Sequence, residues 1–313
     1  MRLGPVTASA DRDAEYFPGV VLETVGGIYQ VALDAGSTIQ ASLRGRLKQE
    51  LRLGDRVVAG DRVDVARGDD GSLTIEAVHP RRTRLVRAGP GGRKPKVVAA
   101  NVDRLAAVMA ADHPAFRPET ADRFLVLGEV CGLEPVLVVN KMDLPGAEAL
   151  GPALEKRFHA AGYEILLVSV ESGRGIPEFR DLLSTGITIL AGPSGVGKSS
   201  LLNAIAPGLK LRTGEVSRRE GRGKHTTVSA RLLELPGGGW VVDTPGFSEV
   251  EFWSLEPMDM ARAFPEFRGL EDECRFRSCT HLHEPDCAVK EALESGAIDA
   301  SRYASYRQLS SSE

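Results

Sequence analysis

The stretch Gly192-Pro193-Ser194-Gly195-Val196-Gly197-Lys198-Ser199-Ser200 constrains the fold more than any other part of this chain. It fits G-x-x-x-x-G-K-[ST], preceded by the apolar run Ile187-Thr188-Ile189-Leu190-Ala191 and followed by Leu201, Leu202, Ala204 and Ile205. That context reads as a buried strand, a glycine-rich turn and the start of a helix, the arrangement in which this pattern holds phosphate. Glycines admit backbone conformations closed to other residues, so successive N–H groups can point inward at a polyphosphate. The helix N-terminus adds partial positive charge, Lys198 can reach the β- and γ-phosphates, and the Ser199 hydroxyl can ligate Mg²⁺.

With 313 residues the chain has room for two or three domains, each with its own core. Its composition, 42% apolar and 26% charged with a net charge of −4, is that of an ordinary soluble protein. Nothing in the total charge points to nucleic acid, so any such contact must come from local patches. Residues 1–16 carry acidic side chains and no apolar core of signal-peptide length. Nowhere do apolar residues run on for the roughly 18 positions that a membrane span needs. A cytoplasmic protein with no membrane partner is expected. Lone Cys131 reads as a buried helix residue, whereas three further cysteines crowd between Cys274 and Cys287 beside histidines. In a reducing compartment that grouping suggests metal.

Taken in order, residues 1–17 read as a loose tail. From Gly19 to Val78 short β-like segments alternate with turn signals: Val20–Leu22, Ile28–Val31, Thr38–Ala41, Val57-Val58, Val63–Val65 and Leu73–Ile75. About five short strands in so few residues suit a small closed barrel, and the OB-fold is one such barrel that often binds nucleic acid. Next come Arg81, Arg82, Arg84, Arg87, Arg93, Lys94 and Lys96 with no acidic residue among them. The interleaved glycines and prolines make this a flexible connection, and one-signed runs of this kind suit phosphate backbones. From Asn101 the texture changes to strands at 105–111, 136–139, 165–168 and 187–190, alternating with helices at 118–131, 149–161 and 177–183. Alternation of this kind means a mainly parallel sheet covered on both faces, with ligands at the carboxyl ends of its strands.

Two motifs follow such strands. Asn140-Lys141-Met142-Asp143 comes directly after Val136–Val139. An aspartate carboxylate placed there accepts two hydrogen bonds from guanine, from N1–H and the exocyclic amine; adenine lacks that pair of donors. Asn140 would tie this loop to the phosphate loop, and the Lys141 stem would cover the base. Ser169 ends the next strand, where G proteins carry Ser-Ala-Lys; Val170 and Glu171 depart from that pattern, so only the backbone role carries over. Asp243-Thr244-Pro245-Gly246 follows Trp240-Val241-Val242. Its aspartate can hold Mg²⁺ through water, and the Gly246 N–H can meet the γ-phosphate. Between the phosphate loop and this motif lies Gly221-Arg222-Gly223-Lys224-His225-Thr226-Thr227, where either Thr226 or Thr227 can complete the Mg²⁺ shell and make loop order depend on the γ-phosphate. Ordinary GTPases carry the phosphate loop first and the base-reading motifs last. Here the base-reading motifs come before the phosphate loop with every part present, which looks like a circular permutation of one sheet.

Cys274, Cys279, His281 and Cys287 stand with four, one and five residues between them, a ligand set for tetrahedral Zn²⁺ with no position left open for catalysis. His283 is an alternative to His281. The stretch 266–285 has too few apolar residues for a core of its own, which favours a structural metal. Helices are expected at 288–293 and 300–309.

The barrel, the permuted motifs, the G-K-H-T-T segment and the Cys-Cys-His-Cys knuckle together resemble the ribosome small-subunit-dependent GTPase A family (RsgA, also called YjeQ), over residues 19 to 309. Val228 departs where relatives often have a third threonine. The resemblance implies a multidomain chain: an OB-fold β-barrel, a circularly permuted P-loop α/β GTPase domain and a C-terminal zinc-binding helical domain. The expected boundaries are 1–17 for the tail, 18–90, 97–250 and 251–313. It further implies a cytoplasmic factor, expected to be monomeric, that binds the small ribosomal subunit and its rRNA and acts late in its maturation. GTP would be hydrolysed to GDP with stimulation by the subunit, with one Zn²⁺ per chain and Mg²⁺ on the nucleotide. The rival readings are a phosphate-loop kinase or ATPase, and an RNA-binding protein whose nucleotide is only regulatory. Many GTPases place a water-orienting glutamine directly after D-x-x-G. Phe247 stands there and makes no hydrogen bond, so His225 is the candidate to orient water, its imidazole being able to take a proton near neutral pH.

Overall fold

The computed structural model describes residues 15–50, 56–87, 96–209, 230–244 and 256–311. They divide into two units. One takes in the described parts of Met1–Asp103, Thr185–Ile189 and Ser217–Gly246, the other those of Arg104–Ser184, Leu190–Val216 and Phe247–Glu313.

The chain begins with β1 (Tyr16–Val25), β2 (Ile28–Leu33), β3 (Thr38–Leu43), the short helix α1 (Gly45–Glu50), β4 (Arg62–Arg67) and β5 (Leu73–Val78). The five strands close into a barrel in the order β1-β2-β3-β5-β4, antiparallel except where β3 meets β5. Period-two alternation explains the closure: Val21, Val31, Val63, Val65 and Ile75 turn inward and are wholly buried in one apolar cluster. This is the small barrel expected of an OB-like fold.

Three local expectations change. β1 starts at Tyr16, inside the stretch read as a tail, because Tyr16, Phe17 and Pro18 pair with Ala66, Val65 and Asp64 of β4. Val57-Val58 is not a strand. Val58 donates its N–H to Asp61 Oδ2 in a turn, and Arg81 grips the wholly buried Asp61 carboxylate at 2.7 and 2.8 Å. The basic connection is not irregular throughout, since β6 (Arg84–Arg87) pairs antiparallel with β7 (Lys96–Ala100) and sets buried Leu85 opposite buried Ala99. Arg81 and Arg82 moreover spend their charge on Asp61 and Asp103.

The alternating part follows as β8 (Arg104–Ala110), α2 (Pro118–Val130), β9 (Glu134–Asn140), α3 (Gly151–Leu154), β10 (Glu164–Leu167), α4 (Ile176–Leu183), β11 (Ile187–Ala191), α5 (Lys198–Ile205), β12 (Arg231–Glu234) and β13 (Trp240–Asp243). Its strands make a six-stranded sheet in the order β10-β9-β8-β11-β13-β12. β8, β9 and β10 run parallel, β13 runs parallel to β11, and β12 runs antiparallel to β13. All of β11 is buried and Val136–Val139 of β9 are wholly so, the continuous apolar run of a parallel strand covered on both faces. The single helix expected over 149–161 is instead a 3₁₀ turn (Ala147–Leu150), α3 and a π turn (Glu155–His159). Pro152 supplies no N–H to a preceding turn, so it restarts the helix at α3. Cys131 caps α2 and lies outside it.

α6 (Pro257–Arg262), α7 (Ala288–Glu294) and α8 (Ala300–Ser310) complete the chain, α8 being capped by the Asp299 carboxylate. Phe264, Phe267, Val289, Ile298 and Tyr306 form an apolar cluster with Cys274, Cys279 and Cys287, and Val126 of α2 joins it. The stretch 266–285 therefore shares a core with the helices around it. No helix among the described residues is long and apolar enough to cross a membrane.

Candidate functional site

The loop between β11 and α5 takes the conformation its glycines permit. Gly192 has φ +146°, and a Cβ on it would lie 2.0 Å from the Val108 carbonyl oxygen of β8. Gly197 caps α5 at φ +98°, and its Cβ would lie 2.3 Å from Asn140 Nδ2. Neither position accepts a side chain without displacing backbone or a buried amide. Lys198 folds back over the loop and donates to the carbonyl oxygens of Gly192 at 2.6 Å and Pro193 at 2.9 Å. Burial lowers its ammonium pKa to about 8, the lost hydration finding no negative compensation among the described residues. An anion in the loop would restore that compensation. Ser194 and Gly195 are exposed at the tip, Val196 is buried, and Ser199 and Ser200 occupy the first turn of α5, half-buried.

The end of β9 is fastened to this loop. Asn140, nearly buried, donates through Nδ2 to the Val196 carbonyl at 2.9 Å. Lys141 adopts φ +63° and its ammonium donates to the His113 carbonyl, in the loop that follows β8. Met142 is buried, and its N–H donates to the Val168 carbonyl at 3.1 Å. Asp143 is exposed at the rim, where the hydroxyl of wholly buried Ser169 donates to its Oδ1. Ser169 Oγ in turn accepts the Ser172 N–H at 3.1 Å. A carboxylate is thus held at a strand end with a polyphosphate-type loop tied beside it. The structure gives Ser169 a side-chain role where sequence comparison carried over only its backbone. The Val108 and His113 carbonyls were missed, being backbone groups without a residue-type signal.

Asp243 closes β13 and is exposed there, on the strand that runs beside β11. Gly246 lies outside the described residues, as do His225, Thr226, Thr227 and Phe247.

In the C-terminal part, the ligand atoms of Cys274, Cys279, His281 and Cys287 all lie within 4.8 Å of one another. Cys274 Sγ is 3.6 Å from His281 Nδ1 and 3.9 Å from Cys287 Sγ, and His281 Nδ1 is 3.4 Å from Cys287 Sγ. His283 is exposed and outside the group, so the imidazole of the set is His281. Burial pushes the Cys279 thiol up to about 12 and pushes the His281 imidazole down. Neutral imidazole is the ligand form, and buried thiols need a cation to become thiolates, so the donor set fits a soft or borderline metal. Glu284 shapes the loop. Burial pulls its carboxyl up, but hydrogen bonds from Thr280, from its own N–H and from His283 outweigh it and hold the group at about 2.

A family model described as RsgA GTPase matches residues 78–253. The chain is 45% identical over 294 residues to the small ribosomal subunit biogenesis GTPase RsgA of Gemmatimonas aurantiaca, covering 93% of this chain and 95% of that protein. It is 44% identical over 289 residues to the protein of the same name from Moorella thermoacetica, covering 92% and 94%. Among solved structures it is similar to the crystal structure of YjeQ from Thermotoga maritima, with 37% identity and a TM-score of 0.79 over 95% of this chain and 98% of that one. YloQ, titled a circularly permuted GTPase, matches with 31% identity and a TM-score of 0.73 over 97% and 96%. The resemblance drawn from the motifs is borne out, and so is the permuted order of one GTPase sheet: the chain belongs to the RsgA GTPase family.

Proposed function

We propose that this protein is a GTPase of small ribosomal subunit biogenesis that binds the subunit and its rRNA, and that the subunit stimulates its hydrolysis of GTP. The observation that carries the reading is the fastening of a guanine-reading carboxylate to a phosphate loop: Ser169 holds Asp143, and Asn140 bonds Val196. Relatives named for this process match more than nine-tenths of the chain, which supports the same role here. In this reading Gly192 to Ser200 hold the phosphates, Asn140 to Asp143 and Ser169 read guanine, and Ser199 and Asp243 hold Mg²⁺. Gly246 and one of Thr226 and Thr227 sense the γ-phosphate, and His225 orients the attacking water. Residues 18–90 form an RNA-binding barrel, 97–250 the G domain, and 251–313 a module closed by one zinc ion on Cys274, Cys279, His281 and Cys287. The protein acts in the cytoplasm as a monomer, without a membrane partner.

The test is a pull-down of small against large ribosomal subunits with the protein loaded with a non-hydrolysable GTP analogue, GDP or an ATP analogue. Selective capture of small subunits with the GTP analogue is expected. Equal capture of both subunits, or retention that follows ATP, would refute the reading.

A further inference from the structure

Arg302, on α8, is among the largest fully buried side chains. A buried guanidinium is retained only where its donors are met and its charge is balanced. Its Nε and Nη2 donate to Glu266 at 2.7 and 3.1 Å, and its Nη1 donates to Asp122 Oδ1 at 2.5 Å. Phe264 and Tyr163 offer ring faces 4.7 and 5.2 Å from the guanidinium carbon. Asp122, on α2, is wholly buried as well, and its other oxygen accepts from Arg157 Nη2 at 2.5 Å. That same nitrogen also donates to Ser305 Oγ of α8 at 3.1 Å. Two cations thus face the buried carboxylates of Asp122 and Glu266, with Asp122 shared between the arginines and the more exposed Glu119 3.7 Å from Arg157.

The position of Arg157 gives the network its meaning. It lies in the π turn Glu155–His159, part of the crossover 144–163 that joins the loop Asn140–Asp143 to β10 and, beyond it, Ser169. This crossover is the direct covalent link between the two loops that meet at Asp143. At its far end Tyr163 hydrogen-bonds Arg302 again, at 3.4 Å. α8 also holds the metal loop: Tyr303 donates its hydroxyl to the His281 carbonyl at 2.6 Å, and Tyr306 donates to that of Thr280.

We infer that α8 braces guanine recognition: Arg302 and Ser305, acting through Asp122 and Arg157, hold the crossover that spaces the two base-reading loops, and the metal loop holds α8 in place. The inference rests on the guanine-nucleotide reading above and assigns Asp122, Arg157, Arg302 and Ser305 as positioning residues. Because linkage is reciprocal, guanine nucleotide and metal each raise the affinity for the other.

The experiment uses the full chain, Asp122→Asn and Ser305→Ala, titrated with a fluorescent GDP and, separately, with inorganic triphosphate, which engages only the phosphate loop. The dissociation constant for GDP is expected to rise about tenfold in Asp122→Asn and about threefold in Ser305→Ala, within the usual range of coupling between sites. Triphosphate affinity stays within about twofold. Chelating the metal from the unmodified protein weakens GDP binding to a similar extent, and chelation adds little in Asp122→Asn. Ser305→Ala removes one hydrogen bond from the Arg157 guanidinium without removing a charge, and carries the test if Asp122→Asn fails to fold. GDP affinity unchanged in Ser305→Ala and after chelation would overturn the inference while leaving the GTPase reading intact, and so would an equal loss of GDP and triphosphate. Failure of the metal-loaded, unmodified protein to bind GDP would overturn both.

Discussion

Alanine at Gly197 should weaken GTP binding far more than alanine at Gly195, two positions apart in the same loop. Both glycines have positive φ, +98° and +81°. Alanine in the left-handed region costs about 1–2 kcal/mol at either position. At Gly195 that is the whole effect, because its Cβ would meet nothing closer than Pro114 Cδ at 3.7 Å. At Gly197 the Cβ falls 2.3 Å from Asn140 Nδ2, so the amide must leave the Val196 carbonyl it now meets at 2.9 Å. Losing that bond with the carbonyl still buried adds about 1–3 kcal/mol. The free loop can relax away from this conflict, whereas the nucleotide-bound loop cannot, so the cost falls on binding. At about 1.4 kcal/mol per decade, Gly195→Ala should lose roughly 5- to 30-fold and Gly197→Ala roughly 30- to several-thousand-fold. Equilibrium titration with a fluorescent GTP analogue reads both, with melting curves checking that each variant is folded. Equal affinities in the two variants would refute the role assigned to the Asn140–Val196 bond.

Asp143→Asn should lose guanine nucleotides and gain xanthine nucleotides, which present an oxygen where guanine has its amine; undiminished GTP affinity in competition binding would remove Asp143 from the base site. Cys279→Ser should lose the bound metal and make residues 256–311 melt or proteolyse early, and full metal content by elemental analysis would contradict the four-ligand set. Burial lowers Lys198 to about 8, so GTP binding at pH 8 should take up roughly half a proton, and close to none at pH 6.5. Calorimetry in buffers of different ionisation heat measures this, and identical heats across buffers would refute it. In the nucleotide-free protein the same depression leaves the folded state with fewer protons than the unfolded one between about 8 and the ordinary 10.5. The contribution of this group to stability therefore grows as pH rises through that window.

The sequence made the chemistry legible wherever residue type and spacing are themselves the mechanism. The phosphate loop, the Asn140–Asp143 motif and the four metal ligands all depend on named side chains or on glycine. What it hid was tertiary. β6 and β7 are four and five residues long and are joined by a glycine- and proline-rich stretch, so their pairing through Leu85 and Ala99 carries little local signal. The basic run read as a free patch because Asp61 and Asp103, which engage Arg81 and Arg82, lie about 20 residues away along the chain. Val57-Val58 has strand propensity, yet the turn that ends in the Arg81–Asp61 pair overrides it. The helical expectation over 149–161 holds for the winding of the chain, but Pro152 and the π turn around Arg157 change its hydrogen-bond pattern from one stretch to the next. Nothing in residue type or spacing singles out Arg157, Arg302 and Asp122. Only the fold shows them buried and sharing partners.

On the proposed function, hydrolysis is slow in the isolated protein and is switched on by the small subunit. Single-turnover GTP hydrolysis, with and without purified small ribosomal subunits, tests it directly, with large subunits as the control and His225→Ala beside the unmodified protein. Strong stimulation by small subunits alone is expected, and a His225→Ala variant should bind GTP and subunits normally yet be barely stimulated. A rate indifferent to small subunits would rule out such a switch, and full stimulation in the absence of His225 would take the catalytic role from that residue.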